Sequence, residues 1–238
     1  MKLRSLLLAT AFFISMQQVS AHAIWIETNA TGTKGKQQQV KLFFGEFSEK
    51  SISAAAHWFS DLKDFELLLI NPDKTSTKLP ATMGTDCYMA EFTPTTNGVY
   101  TLVLHHTVKD TYMKMKISYN SSATVVVGDA VTGNDGTVNK NIVSVFSDSS
   151  FAAQQNVPLR FSSYYEGKAA TRQKMKIVAP NGWEKEIYSN VKGETTFTPL
   201  WPGQYMIEYQ YVEKVPGTHN GQEYNEYWKI ATYLVTVK

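Results

Sequence analysis

The stretch FTPTTNGVY, Phe92–Tyr100, returns 105 residues later as FTPLWPGQY, Phe197–Tyr205, with Phe-Thr-Pro, Gly and Tyr in the same slots. Two further matches precede it in the same order. INPD (70–73) corresponds to VAPNG (178–182), and VKLFF (40–44) corresponds to VPLRF (157–161). Long-period repeats are usually structural units. Three matches in one order therefore predict that a unit of roughly 100 residues occurs twice.

Each unit has the pattern of short β-strands. Apolar side chains occupy every second position of the matched segments: Val40, Leu42 and Phe44, then Val157, Leu159 and Phe161. This alternation is typical of half-buried strands, and the Pro-Asp and Pro-Asn-Gly segments that follow are turn signals. We predict an all-β protein made of two tandem immunoglobulin-like β-sandwich domains. In such domains a Tyr hydroxyl bonds nearby backbone, and Tyr100 and Tyr205 are the candidates.

The N-terminal residues have the organisation of a cleaved secretory signal. Lys2 and Arg4 precede an apolar run at 6–14, and the small residues of Val19–Ala21 form a cleavage site. We therefore expect residues 1–21 to be a signal peptide and a periplasmic mature chain to begin at His22. Domain 1 is predicted at 22–130 and domain 2 at 138–238, because 128–136 is rich in Gly, Asn and Asp.

Composition excludes several partners. The formal net charge is only +2 and the basic residues are scattered, so no concentrated basic face is available for nucleic acid. No second apolar stretch approaches membrane-spanning length, so we expect a protein that does not span the membrane. The single cysteine, Cys87, excludes an intramolecular disulfide.

His22 has a special position if the signal is removed. A mature N-terminal His carries an α-amine and an imidazole on one residue, and the two can chelate one metal ion. A further imidazole would complete a T-shaped site suited to Cu(II), and the same nitrogen donors suit Ni(II). The alternative is an exposed terminal His without a function.

Three other histidines are candidate ligands. His105 and His106 end the strand after the first repeat, where unit two has Gln210 and Tyr211, so the fold itself does not need them. Neighbouring strand residues face opposite sides, so one metal ion would normally take only one of this pair. His57 lies in an insertion of about nine residues near 51–64, as the shrinking offsets between the repeats indicate. Packing beside Trp58 is its other interpretation.

Met113 and Met115 lie two residues apart and are expected on one strand face. Their thioethers are soft ligands for Cu(I). Alternating Met and Lys is also the ordinary pattern of an amphipathic strand, so this segment carries two interpretations.

The mature start, HAIWIE (22–27), resembles the opening of the periplasmic DUF4198 family. The C-terminal segments APNGW (179–183), FTPLWPGQY (197–205) and PGTHNGQEY (216–224) are similar to that family's second half and to carboxypeptidase-regulatory-like or Cna-B-like β-sandwiches. The resemblance implies metal handling in the periplasm, because members are linked to nickel or cobalt uptake. Only His22 matches the family motif by position.

Three functions follow as hypotheses. The first is a non-enzymatic protein that binds Ni, Co or Cu through His22, His57, His105 and His106, with a membrane metal-uptake transporter as a partner. The second is a glycan- or protein-binding adhesion module. The third is an oxidase in which a copper ion at His22 activates oxygen. The sequence contains no G-x-S-x-G, H-E-x-x-H or phosphate-binding glycine motif, so we expect no enzyme activity.

Overall fold

The computed structural model describes residues 22–129 and 132–238, and the expected signal peptide lies outside them. The strands of the first half are β1 Ala23–Thr28, β2 Thr31–Gly32, β3 Gln38–Glu46, β4 Ser51–Ile52, β5 Glu66–Ile70, β6 Ser76–Lys78, β7 Thr82–Met83, β8 Tyr88–Phe92, β9 Gly98–Thr107 and β10 Met115–Val127. Those of the second half are β11 Val143–Phe146, β12 Leu159–Tyr165, β13 Lys168–Ala169, β14 Lys174–Val178, β15 Glu184–Tyr188, β16 Glu194–Phe197, β17 Gly203–Glu213, β18 Gly217–His219, β19 Gln222–Tyr224 and β20 Glu226–Val237.

The helical segments in these ranges are short 3₁₀ turns, at Ala55–His57, Leu62–Asp64, Gly136–Val138 and Ser150–Ala152. The all-β class is therefore confirmed. No helix in the described ranges has the length and apolar character needed to cross a membrane.

One large sheet contains strands from both halves. Its order is β15-β14-β17-β20-β10-β9-β5-β6, with β2 beside the end of β10. The junction is a parallel pairing of β10 with β20, from Met115 opposite Glu226 to Ser122 opposite Tyr233. The remainder of β10 pairs antiparallel with β9. The two repeated units are thus joined by backbone hydrogen bonds as well as by the chain.

Two smaller sheets cover opposite faces of this shared sheet. One has the order β1-β3-β8-β7, with β4 on β3, and the other is β11-β12-β13, with β16 on β12. Alternate residues of a strand face opposite sides. Ile230 of β20 accordingly lies in the core beneath the first small sheet, while Ala231 and Tyr233 lie in the core beneath the second. Each half therefore has its own apolar core.

Both predicted tyrosine corners are present. The buried Tyr100 hydroxyl accepts hydrogen bonds from the backbone N–H groups of Thr95 and Thr96 and donates to the Thr96 carbonyl at 3.0 Å. The Tyr205 hydroxyl accepts from the Trp201 N–H at 3.0 Å and donates to its carbonyl at 2.9 Å. The repeated sequence thus forms the same tyrosine corner in both halves of the chain.

The structure shows only part of the predicted alternation of buried side chains at 157–161. Leu159 and Phe161 are buried in β12, but Val157 precedes the strand and is 44% exposed. Pro158 lies between Val157 and the strand. Because proline has no N–H to donate, it cannot extend the ladder, and β12 begins after it.

Candidate metal-binding site

A surface cavity of about 290 Å³ opens beside the start of β1. It brings together two of the four candidate histidines, His22 and His57, although they are distant in sequence. Its apolar walls include Phe44, Met115, Tyr119 and Trp228. No carboxylate or lysine is among its lining residues.

The pairing of β1 with β3 positions His22. Ala23 lies opposite Gly45 and Ile24 opposite Phe44, which fixes the residue just before the strand. The His22 ring lies 5.4 Å from the Phe44 ring, between centroids. His22 itself is exposed.

His57 ends the first 3₁₀ turn of the insertion. The Ala55 N–H donates to the Thr85 carbonyl at 2.9 Å, and the His57 N–H donates to the Ala54 carbonyl at 2.8 Å. The next residue, Trp58, is buried, and its ring lies 5.9 Å from the Phe44 ring. Phe44 therefore contacts both the His22 ring and the anchor of the segment that carries His57.

His105 and His106 do not line this cavity. They face opposite sides of β9, as the alternation predicts. His105 Nδ1 lies 2.9 Å from Oδ1 of the buried Asn120, whose amide donates to the Ile230 carbonyl at 3.0 Å. His106 Nε2 lies 3.1 Å from Asp61 Oδ1, an ion-pair contact outside hydrogen-bond angles. Both imidazoles thus have protein partners.

Asp61 links the insertion to the turn after β9 by a hydrogen bond. Its carboxylate accepts the Lys109 N–H at 2.9 Å, and the neighbouring Ser60 hydroxyl donates to Asp110 at 2.8 Å. Burial raises the pKa of Asp61, but the Lys109 hydrogen bond and the His106 contacts outweigh it, so the net pKa lies below its usual value. The segment that presents His57 is therefore held by charge-assisted contacts.

The turn between β9 and β10 forms another part of the wall. Tyr112 and Met115 exchange backbone hydrogen bonds at 2.9 and 2.8 Å, and Met113 and Lys114 between them have positive φ values of 48° and 61°. The expectation that both methionines share a strand face is therefore wrong. The tight turn places Met113 outside β10 and 69% exposed, while Met115 opens the strand.

The second half contributes support from the β18–β19 hairpin. The His219 Nε2 lies 3.0 Å from the Val108 carbonyl oxygen, and Gln222 Oε1 accepts the Thr111 N–H at 2.8 Å. Trp228 of β20 reaches the cavity itself. The site thus depends on both halves of the chain.

The donor set decides which metal ions fit. In the described ranges no three His, Cys, Asp or Glu side chains come close enough to hold a metal ion. Two imidazoles face the cavity, and the other donors available there include the Met115 thioether, the hydroxyls of Ser53 and Tyr112 and, once His22 is N-terminal, its α-amine. Burial raises the pKa of Tyr119, so its hydroxyl stays protonated and is not an anionic ligand.

Sequence reasoning identified His22, His57 and Met115 separately. It did not place Met115 beside the two histidines, because the positioning depends on pairing between distant strands. Phe44 and Trp228 had no chemical signal in the sequence, and only the fold shows them at the cavity.

The fold and the cavity define an all-β protein with a paired-histidine pocket at the start of its first described strand. The chain belongs to the family described as "Domain of unknown function (DUF4198)", whose model matches residues 19–213. No curated protein matches it.

Among solved structures, the chain is similar to Escherichia coli alpha-2-macroglobulin activated by porcine elastase, at 10% identity and a TM-score of 0.32, covering 92% of this chain and 20% of that one. A mutant Salmonella alpha-2-macroglobulin gives 10% identity and a TM-score of 0.29, covering 89% of this chain and 14% of that one. The chain thus spans a fifth or less of these proteins. These scores are too low for the likeness to bear on fold or activity.

Proposed function

We propose that this protein is a periplasmic, non-enzymatic transition-metal-binding protein whose ligands are the α-amine and imidazole of His22 and the imidazole of His57. The observation that carries the proposal is the shared cavity of the two histidines. Removal of residues 1–21 would free the amine at the cavity edge, where it and the ring can chelate one ion. Two imidazoles with an amine suit Ni, Co and Cu ions.

The family resemblance to proteins linked with nickel and cobalt uptake supports a role in capture or delivery. On this proposal the loaded protein hands its ion to a membrane metal-uptake transporter. An exposed His22 at the cavity edge is compatible with ligand exchange, because an incoming donor can reach the ion without unfolding the site.

In this proposal His105 and His106 support the site and do not bind the ion. His106 contacts Asp61 of the segment that presents His57, and His105 is held by Asn120. The proposed architecture is two immunoglobulin-like sandwich units, 22–130 and 138–238. The separate cores and the two tyrosine corners support it.

Calorimetric titration of the mature protein with Ni(II), Co(II) and Cu(II) tests the proposal. We expect one ion per chain for at least one of these metals and a loss of affinity of at least about 10-fold in His57→Ala, because losing a ligand costs no less than losing a residue that supports one. A matched control has the α-amine of His22 blocked by acetylation, which keeps the imidazole but removes the amine as a donor. Equal heats from all three proteins would overturn the proposed ligand set.

A second candidate function has its own observation. Trp183 and Trp201 are 40% and 36% exposed, and their rings lie 6.1 Å apart in an edge-on arrangement. Exposed aromatic pairs are typical of surfaces that bind a glycan or a protein. If the adhesion function is correct, Trp183→Ala with Trp201→Ala abolishes binding to a glycan array while His22→Ala has no effect. Binding that survives the Trp changes would remove this candidate.

A further inference from the structure

We infer that the Met115 thioether is a further ligand in the cavity of His22 and His57, and that it enables a site whose nitrogen donors bind Cu(II) to bind Cu(I) as well. This inference rests on the proposed function, because it concerns the same site. It replaces the nickel and cobalt preference implied by the family resemblance.

The backbone fixes Met115 at the cavity. Its N–H donates to the Tyr112 carbonyl at 2.8 Å, and its carbonyl accepts the Tyr112 N–H at 2.9 Å. It then begins the parallel pairing with β20, opposite Glu226. Met115 is 9% exposed and lines the same cavity as His22 and His57. A short turn and a strand pairing therefore hold its Cα in place.

The chemistry of the available donors favours copper. With the amine, the imidazoles and the thioether, the cavity offers nitrogen and sulfur donors, and the side-chain oxygens on its lining are the hydroxyls of Ser53, Tyr112 and Tyr119, not carboxylates. Hard cations such as Mg²⁺ and Ca²⁺ prefer oxygen ligands, whereas thioether sulfur is a soft donor that selects Cu(I). Copper also exceeds nickel and cobalt in affinity for nitrogen donors. A mixed nitrogen and sulfur set thus binds either oxidation state.

The apolar walls of the cavity favour a metal ion with one positive charge over an ion with two. Phe44, Tyr119 and Trp228 are apolar or protonated neighbours, and no carboxylate lines the cavity to compensate a second positive charge. A poorly compensated charge is costly in apolar surroundings. A singly charged Cu(I) ion is therefore less costly to hold between these walls than a doubly charged ion.

Packing alone is the competing explanation, since Met115 belongs to the N-terminal core. A Leu substitution separates the two roles, because exchanging Met for Leu conserves volume and costs little stability. Met113 supplies the matched control. It lies two residues away and is exposed, and it does not line this cavity.

The decisive measurement is Cu(I) affinity by competition with a bicinchoninate chelator, together with Cu(II) and Ni(II) titrations. We expect Met115→Leu to weaken Cu(I) binding at least about 10-fold, a change of the size seen when metal-site support is lost. Cu(II) and Ni(II) binding should change far less, and Met113→Leu should match the unmodified protein.

X-ray absorption on the unmodified mature protein loaded with Cu(I) provides a test that needs no variant. A sulfur scatterer in the first coordination shell is expected. Copper bound through nitrogen alone, with Cu(I) affinity unchanged in Met115→Leu, would overturn the inference while leaving the proposed function intact. Absence of any metal binding by the unmodified protein would overturn both.

Discussion

At the residue scale, the tyrosine corners show how one side chain fixes a connection. Each hydroxyl is bonded to backbone groups four or five residues upstream, at the entry to a long strand. The side chains of Tyr100 and Tyr205 are each 1% exposed, so a lost hydrogen bond is not replaced by water. Their identical spacing in the two repeats is what made them predictable.

Tyr100→Phe should destabilise the protein by about 1–3 kcal/mol, because the N–H groups of Thr95 and Thr96 lose their shared acceptor. Denaturant unfolding followed by circular dichroism measures the effect. Tyr205→Phe is the matched change in the second half and should cost a similar amount. A pair of variants as stable as the unmodified protein would show that the corners are dispensable.

The candidate ligands were predictable only as separate residues. His22 follows a predicted cleavage signal, and His57 lies in an insertion that the repeat offsets indicate. Their meeting depends on Phe44, which contacts His22 and the neighbour of His57. Aromatic residues in a strand look alike in sequence whether they border a site or fill a core, so this link had no sequence signal.

At the scale of elements, the insertion at 51–64 depends on a carboxylate. The pKa of Asp61 is lower in the folded protein than in the unfolded chain, where it is about 4. Ionised Asp61 therefore stabilises the folded protein above about pH 4, and this contribution is lost as the pH falls through the folded-state pKa. Asp61→Asn should therefore reduce stability at pH 7, by about 1 kcal/mol for a weakened hydrogen bond, and the difference should vanish in acid.

Chemical denaturation at a series of pH values between neutral and strongly acidic measures this difference. Asp64→Asn is the control, since Asp64 lies in the same insertion but is exposed. A stability difference for Asp61→Asn that persists unchanged at the acid end would contradict the assigned role of the carboxylate.

A partly buried ion pair connects β17 and β20 to the second small sheet. Lys229 is 2% exposed and pairs with Glu213, which also accepts the Tyr165 hydroxyl at 2.7 Å. The Lys229 ammonium lies 4.5 Å from the centre of the Tyr227 ring. The hydrogen bonds from Lys229 and Tyr165 lower the pKa of Glu213, so it stays charged.

Glu213→Gln should destabilise the protein by about 1–3 kcal/mol, because the buried Lys229 ammonium loses its charged hydrogen-bond partner while solvent reaches one side of the pair. Adding Lys229→Met to that variant should restore much of the loss, since no unpaired charge then remains. Thermal unfolding of the single and double variants checks this. A double variant less stable than Glu213→Gln alone would refute the charge explanation.

At the scale of the whole molecule, the repeats predicted the all-β class and the two copies of the tyrosine corner. They did not reveal the parallel pairing of β10 with β20, which places both halves in one sheet. That pairing joins strands about a hundred residues apart, and its register depends on packing against both small sheets. No local pattern in either strand encodes the choice of partner.

The shared sheet predicts cooperative unfolding of both halves. The Thr232 hydroxyl of β20 donates to the Ile24 carbonyl of β1 at 2.6 Å and lies 2.9 Å from the Ser121 hydroxyl of β10. Thr232→Val should therefore lower hydrogen-exchange protection in both halves together, by about 1–3 kcal/mol for an unsatisfied buried group. Loss of protection confined to residues after 138 would contradict this coupling.

In the proposed site, the amine and imidazole of His22 bind one ion together with His57. Electron paramagnetic resonance of the mature protein loaded with one equivalent of Cu(II) tests these ligands. We predict hyperfine coupling to three nitrogens in the unmodified protein and to two in His57→Ala. An identical spectrum from His57→Ala, or from protein acetylated at the His22 amine, would contradict the proposed ligand set.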